Sequence, residues 1–389
     1  MITAAIYFRS MYVPPQRDAL PPRPRRGRAL LLLAVLILGG AIFLALQPEL
    51  VQRQAARLFP SPTPTPTATP GAAELAATAT AALGRGQAGT AVAILSTAVA
   101  TEPEIPAAHK GLAAALLRGR RYQAAAAAAR EAVRLAPADP EGYVLLATAL
   151  DWLGRTDEAM TAAQAALDLD PAQAAALAAL SEVQSSAGQW DLAEQSAREA
   201  LALSPEDPAA HRALGMALET RADWEGALES YRRAADLAPG WAGPLVDQGR
   251  IARLRRDGAA AKAAFEAARA SEPGDPAAAD GLGLVAYDAG DLDEAERWFR
   301  QAATQSPDYV GAQGHLGWVH YARAEWEPAA EQFQRALDLG STSLEYRYEL
   351  ALSLAYDGQC AKARPQMAVL IAEDPGLATV LRDGLAACP

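Results

Sequence analysis

Few side chains in this chain are able to do chemistry. It has four histidines, His109, His211, His315 and His320, and two cysteines, Cys360 and Cys388. A zinc site on a helix needs two ligands on one face, as HExxH supplies. The nearest histidine pair, His315 and His320, is five residues apart, and HExxH does not occur. Two cysteines cannot form a four-cysteine site. GxSxG is absent, and the glycine-rich run from Gly281 to Gly290 follows no strand pattern. The 46 acids fall mostly at helix starts, where they complement the helix dipole, or on solvated faces. No nucleophile–base pair emerges. The sequence therefore points to a chain that is not an enzyme and carries neither metal nor cofactor.

Charge divides the chain. The net charge is −11 over 389 residues, yet residues 1–28 hold six arginines against one acid, Asp18. An acidic remainder disfavours nucleic acid as a partner, since that binding needs clustered positive charge. Ala29 to Leu46 reads ALLLLAVLILGGAIFLAL, without a charge or a polar side chain. At about 1.5 Å per residue it spans about 27 Å, close to a bilayer's hydrocarbon core. No small-x-small cleavage site follows it, so residues 29–46 read as an uncleaved transmembrane helix rather than a signal peptide. The arginines place residues 1–28 in the cytoplasm as a basic head and everything after Leu46 outside. This predicts a single-pass protein of the cytoplasmic membrane. Residues 47–71 are a stub and a spacer, PSPTPTPTATPG, held extended by alternating proline.

The elements that must position any site come from a repeat. Prolines recur every 34 residues at Pro103, Pro137, Pro171, Pro205, Pro239, Pro273 and Pro307, then at Pro375, with Ser341 in the one departing slot. Alanine holds a second comb without a gap from Ala91 to Ala363, and a third runs from Ala98 to Ala336, closed by Leu370. In the unit from Pro208 to Trp241, His211 to Thr220 is apolar at helical spacing, Ala222 to Gly226 turns the chain, and Ala227 to Leu237 forms a second helix that Pro239 ends. One hairpin cannot bury its apolar face, so neighbours must stack into an all-α solenoid.

The period and residue types resemble the tetratricopeptide repeat. The resemblance covers nine units over residues 72–377, with residues 378–389 as a capping helix. The family's small, alanine, aromatic and alanine slots hold Gly215, Ala227, Tyr231 and Ala234 in one unit. They hold Gly283, Ala295, Phe299 and Ala302 in another, and Gly317, Ala329, Phe333 and Ala336 in a third. The aromatic slot departs to Leu95, Ala129 and Ala197 nearer the N-terminus. The resemblance implies a right-handed superhelix whose first helices line a concave groove.

In the groove slots stand Trp152, Tyr287, Trp318, Tyr321, Tyr348 and Tyr356, with Arg212 and Arg250 among the cations and Glu182, Glu219, Asp280, Asp288 and Glu345 among the acids. The arginines precede residue 260 and the aromatics mostly follow residue 285. Rings offer contact area at low entropy cost, so the C-terminal groove is the candidate site for a protein or peptide partner. The Lys–Asn pair by which some relatives hold a terminal carboxylate is incomplete here: Lys110 is followed by Ala114. Cys360 and Cys388 fall at helix ends that antiparallel packing brings together, giving either a disulfide that staples the cap or two partly buried thiols. The expected function is a membrane-tethered scaffold. The alternative is a non-catalytic accessory subunit of an envelope assembly, secretion or wall-synthesis complex.

Overall fold

The computed structural model describes residues 71–388. The basic head, the Ala29–Leu46 stretch and nearly all of the stub and spacer lie outside the described residues. Among the described residues, no helix is long and apolar enough to cross a membrane, and no strand occurs.

Helical hairpins follow one another along the chain. They are α1 (Ala72–Gly84) with α2 (Ala88–Thr101), α3 (Pro106–Arg118) with α4 (Tyr122–Leu135), α5 (Pro140–Trp152) with α6 (Thr156–Leu169), and α7 (Ala174–Ser186) with α8 (Trp190–Leu203). Then come α9 (Pro208–Thr220) with α10 (Trp224–Leu237), α11 (Gly243–Leu254) with α12 (Gly258–Ser271), and α13 (Pro276–Asp288) with α14 (Leu292–Gln305). The array closes with α15 (Val310–Ala322) with α16 (Trp326–Asp338) and α17 (Leu344–Tyr356) with α18 (Cys360–Glu373).

Capping explains the boundaries. Several first helices start on proline, which needs no intrahelical donor there, just after an aspartate. The side chains of Asp139, Asp207 and Asp275 each accept a backbone N–H two residues on. Each first helix ends in a residue of positive φ, at positions 86, 120, 154, 188, 222, 256, 290, 324 and 358. The next N–H reaches back five residues, as in Gln87 to Ala82, Asp223 to Leu218 and Glu325 to His320. This left-handed turn, a fourth comb of period 34, is what reverses the chain. Glycine fills five of its places; Arg120, Ala222, Arg256 and Ala324 fill the rest. An alanine there carries a Cβ–carbonyl clash that glycine lacks. Ala222→Gly and Ala324→Gly are therefore each expected to raise stability by about 0.5–1 kcal/mol, after the added unfolded-state entropy of glycine. The two gains should add in urea unfolding, and a loss at both sites would refute the strain.

The departing slot has its own consequence. Where Ser341 replaces proline, α16 stops at Asp338 and Gly340, at φ 97°, closes it.

The core runs the length of the array. All nine alanines of the second comb are fully buried, and the third comb is buried throughout. The family's small and aromatic slots meet inside each hairpin. A Cβ on Gly215 would lie 2.5 Å from the Tyr231 ring, one on Gly283 2.5 Å from Phe299, and one on Gly317 2.6 Å from Phe333. Where the ring is missing, the small slot is larger. Ala79 packs with Leu95, Ala113 with Ala129, Ala147 with Ala163 and Ala351 with Met367. Alanine with leucine or methionine fills about the space of glycine with a ring, whereas Ala113–Ala129 and Ala147–Ala163 fill less, yet all four alanines are fully buried.

The cap differs from the single helix read from the sequence. Residues 377–387 form two short pieces, α19 (Leu377–Val380) and α20 (Arg382–Ala387), broken at Leu381. The break lets Leu381 and Leu377 both bury against the last hairpin. Cys360 and Cys388 are joined as a disulfide with Cα atoms 5.3 Å apart, and Arg364 Nε donates to the Cys388 carbonyl at 3.0 Å. A bond of this kind typically stabilises by about 2–4 kcal/mol. Reduction is expected to release hydrogen-exchange protection in residues 377–388 while α1 to α16 keep theirs. Full alkylation without reductant would show that the bond does not form.

Candidate partner-binding surface

The first helices face a common interior, and its two halves differ. Over the N-terminal half the array coils tightly enough that its own side chains meet across the groove. Arg118 at the end of α3 pairs with Glu272 at 2.9 Å and donates to the Gly240 carbonyl. Arg120 grips Asp275 in bidentate fashion, at 2.7 and 3.1 Å. Gly86 and Gly240 sit against backbone on the opposite side, with no room for a Cβ. These contacts border an open cavity of about 320 Å³ lined by alanines and leucines, Tyr122, Trp152 and Trp241, with Arg118, Arg120 and Arg212 at its wall.

At its wall lies a buried charge cluster. Arg212 is 5% exposed and holds Asp247 at 2.7 Å and Glu182 at 3.0 Å. Its guanidinium lies 5.5 Å from the Trp152 ring centre and 5.7 Å from that of Trp241. Arg250 pairs with Glu219 and, at 3.3 Å, with Asp247. Burial pushes the Asp247 carboxyl up, but the guanidiniums of Arg212 and Arg250 outweigh it and hold the group below its ordinary value. Burial prevails at Glu182, whose carboxyl is raised despite Arg212.

The C-terminal half is different. Tyr287, Trp318, Tyr321, Tyr348 and Tyr356 are all half-buried. Two ring clusters form. Trp318 packs near His315 at 4.6 Å, Tyr346 at 5.9 Å and Tyr287 at 6.0 Å. Tyr321 and Tyr356 close around Trp326 at 5.3 and 4.8 Å. Glu349 lies beside the first cluster, its Oε2 buried. Trp318 Nε1 is a near neighbour, but no hydrogen bond of good geometry joins the two.

A tetratricopeptide-repeat family model matches residues 77–140, 183–240 and 246–310, and a second model of that repeat matches residues 140–173. Together they take in more than half of the sequence. The chain belongs to the tetratricopeptide-repeat family. Among solved structures, this tetratricopeptide array is similar to a chain in the crystal structure of the APC/C hetero-tetramer Cut9–Hcn1. The TM-score is 0.60 with 16% identity, over 80% of this chain and 63% of that one. This chain thus spans less than two thirds of that protein, and the likeness concerns the fold alone. Pseudomonas aeruginosa PilF matches at a TM-score of 0.40 and 22% identity, over 54% of this chain and 95% of that one. No curated protein sequence matches. Neither the family models nor the structural likeness indicates an enzyme family.

The structure brings Arg212, Arg250 and Trp152 together in the tetratricopeptide array's N-terminal half, where each has partners within the chain. Trp152 stacks on Tyr122 at 5.3 Å, although 39% of its surface stays exposed. It places the five later rings in the other half. His109 and His211, one repeat position apart from any groove role, bond the Pro103 and Pro205 carbonyls at 2.7 and 2.9 Å.

Sequence reading missed Trp241, which sits in a loop, and Trp326, which opens a second helix. It also missed Glu349, one position beyond the groove slot of Tyr348. Its only signal was a step of four from Glu345, which puts both acids on one helical face.

Burial, aided by Glu345, pushes the Glu349 carboxyl up to about 8. Between about pH 4.5 and 8 the native state therefore keeps a proton that the unfolded chain has lost, so stability falls as pH rises through that window. Glu349→Gln is expected to flatten this slope in thermal unfolding from pH 5 to 8. An unchanged slope would show that another group sets it.

Proposed function

We propose that this protein is a membrane-tethered scaffold that docks a partner protein or peptide. Residues 29–46 would anchor it, residues 1–28 would lie in the cytoplasm, and the repeats would stand outside. The family supports the general role, since tetratricopeptide proteins bind protein partners. The anchor and orientation rest on the uninterrupted apolar run and the arginines before it.

The docking site is assigned to the groove formed by α13, α15 and α17. One observation carries this choice: the arginines and acids of the N-terminal groove pair with one another across the coil and leave Trp152 as its exposed ring, whereas Tyr287, Trp318, Tyr321, Tyr348 and Tyr356 gather five partly exposed rings on three consecutive first helices. Large, rigid rings desolvated at the centre of an interface dominate binding energy.

Crosslinking of intact membranes followed by mass spectrometry tests the reading. Crosslinks from α15 and α17 to another protein are the expected result. Crosslinks confined to α2, α4 and α6 would overturn the assigned surface. Protease added outside spheroplasts should degrade the repeats, and protection would overturn the orientation.

A further inference from the structure

The N-terminal half repeats one local solution. A carboxylate taken out of water is paired with an arginine, and the guanidinium lies over a tryptophan. Glu182 and Asp247 share Arg212 over Trp152 and Trp241. Glu272 has Arg118, 5.9 Å from the Trp241 ring centre. Asp275 has Arg120, at 5.9 Å from that of Trp152. Each arrangement answers the cost of burying a charge without a counter-charge.

The C-terminal groove has the same parts less one. Glu349 supplies the carboxyl, with a buried oxygen whose one near donor, Trp318 Nε1, makes no hydrogen bond of good geometry to it. Trp318 supplies the ring, flanked by Tyr287 and Tyr346. Glu345, exposed one turn away, adds a negative charge. The arginine is missing. Arginines of the C-terminal repeats and of α11 are committed elsewhere: Arg253 to Asp288 at 2.5 Å, Arg323 to Asp293 and Glu296 at 2.5 Å, and Arg347 to Glu373 at 2.7 Å. Among the described residues no cation bears on the Glu349 carboxyl; the groups that do are Glu345, Tyr346, Tyr348, Trp318, Tyr321 and Tyr287.

We propose that the groove surface at Glu349 and the Trp318 and Tyr287 rings receives a cationic side chain, arginine or lysine, carried by the partner protein. The inference rests on the docking reading above and names the chemistry of its anchor. A guanidinium or ammonium there gains the carboxylate and the ring faces together, as in the N-terminal half. An acidic segment is repelled by Glu345 and keeps Glu349 from ionising. A purely apolar anchor leaves the buried carboxyl oxygen unanswered. On binding, the carboxyl releases its proton to solvent and pairs with the incoming cation.

The test uses the full-length chain in lipid nanodiscs, panned against a library of displayed linear peptides. Enriched peptides are expected to share an arginine or lysine. Replacing that residue by neutral citrulline or norleucine should weaken binding about tenfold or more. Glu349→Gln should weaken the charged peptides equally and leave the neutral ones unchanged. Glutamine matches the protonated acid in shape, so this variant should fold, which its thermal unfolding will show. Enriched peptides without a basic residue, or basic peptides indifferent to Glu349→Gln, would overturn the cation site and leave the docking groove standing. Failure to enrich any peptide would overturn both.

Discussion

Arg212→Ala is expected to lower the stability of the repeat array by about 3–5 kcal/mol, the usual consequence of removing one partner from a buried ion pair. The guanidinium is almost wholly inside and holds two carboxylates from neighbouring repeats, Glu182 on α7 and Asp247 on α11. Without it both acids keep their desolvation and lose their main counter-charge. Arg250 still reaches Asp247 at 3.3 Å but does not bond Glu182. The ring faces of Trp152 and Trp241 also lose the cation between them. Lysine should rescue only part, since an ammonium cannot reach both carboxylates with a planar fork while lying over two rings.

The loss should carry a pH signature. In the variant, burial raises the carboxyl groups of Asp247 and Glu182, so the folded state takes up protons more readily than the unfolded chain. Its deficit relative to the parent should shrink as pH falls from 7 to 4.5. Urea unfolding at several pH values reads both effects. A deficit under about 1 kcal/mol at pH 7 would mean that water reaches the cluster and screens it, as in surface pairs.

Phe299→Ala should cost about 3–5 kcal/mol, because the ring is fully buried and its removal leaves a cavity. Ala295, Leu316 and Val319 line that space, with Leu316 and Val319 coming from the next repeat. In a solenoid each repeat is held mainly by its neighbours, so the cavity weakens the junction between α14 and α15 as well as its own hairpin. The informative partner is Gly283. Alone, Gly283→Ala drives a methyl into the Phe299 ring and should cost about 1–3 kcal/mol. With Phe299 already alanine, the same change should gain about 1 kcal/mol, since the clash is gone and alanine is the better helix former. The double variant rebuilds the Ala113–Ala129 pair that this chain already uses in an earlier hairpin. A double-mutant cycle in urea measures the reversal. Additive losses would show that the two slots do not share one volume.

Much of this was legible in the residues. The 34-residue combs located hairpins whose second helices do end at the proline slots, and the paired alanine combs are the buried seam. The slot pair Gly283–Phe299 was legible because its members are close in sequence and every hairpin repeats the geometry. The left-handed turn was readable too, as the glycines at positions 86, 154, 188, 290 and 358 share the period, but the four non-glycine occupants hide it. The broken cap escaped because a terminal segment has no following repeat to impose the pattern.

The sequence by itself determined the repeat length, the hairpin boundaries, the core register and the family, because all of these follow from contacts within one unit or between adjacent ones. Only the tertiary structure decided which groove residues are free. Arg118 and Glu272 are 154 positions apart, and Arg120 and Asp275 are 155 apart. Whether they meet depends on a small rotation per repeat summed over several units, which no local pattern specifies. The same coiling that consumes the N-terminal arginines leaves Glu349 and Trp318 in the C-terminal groove without one.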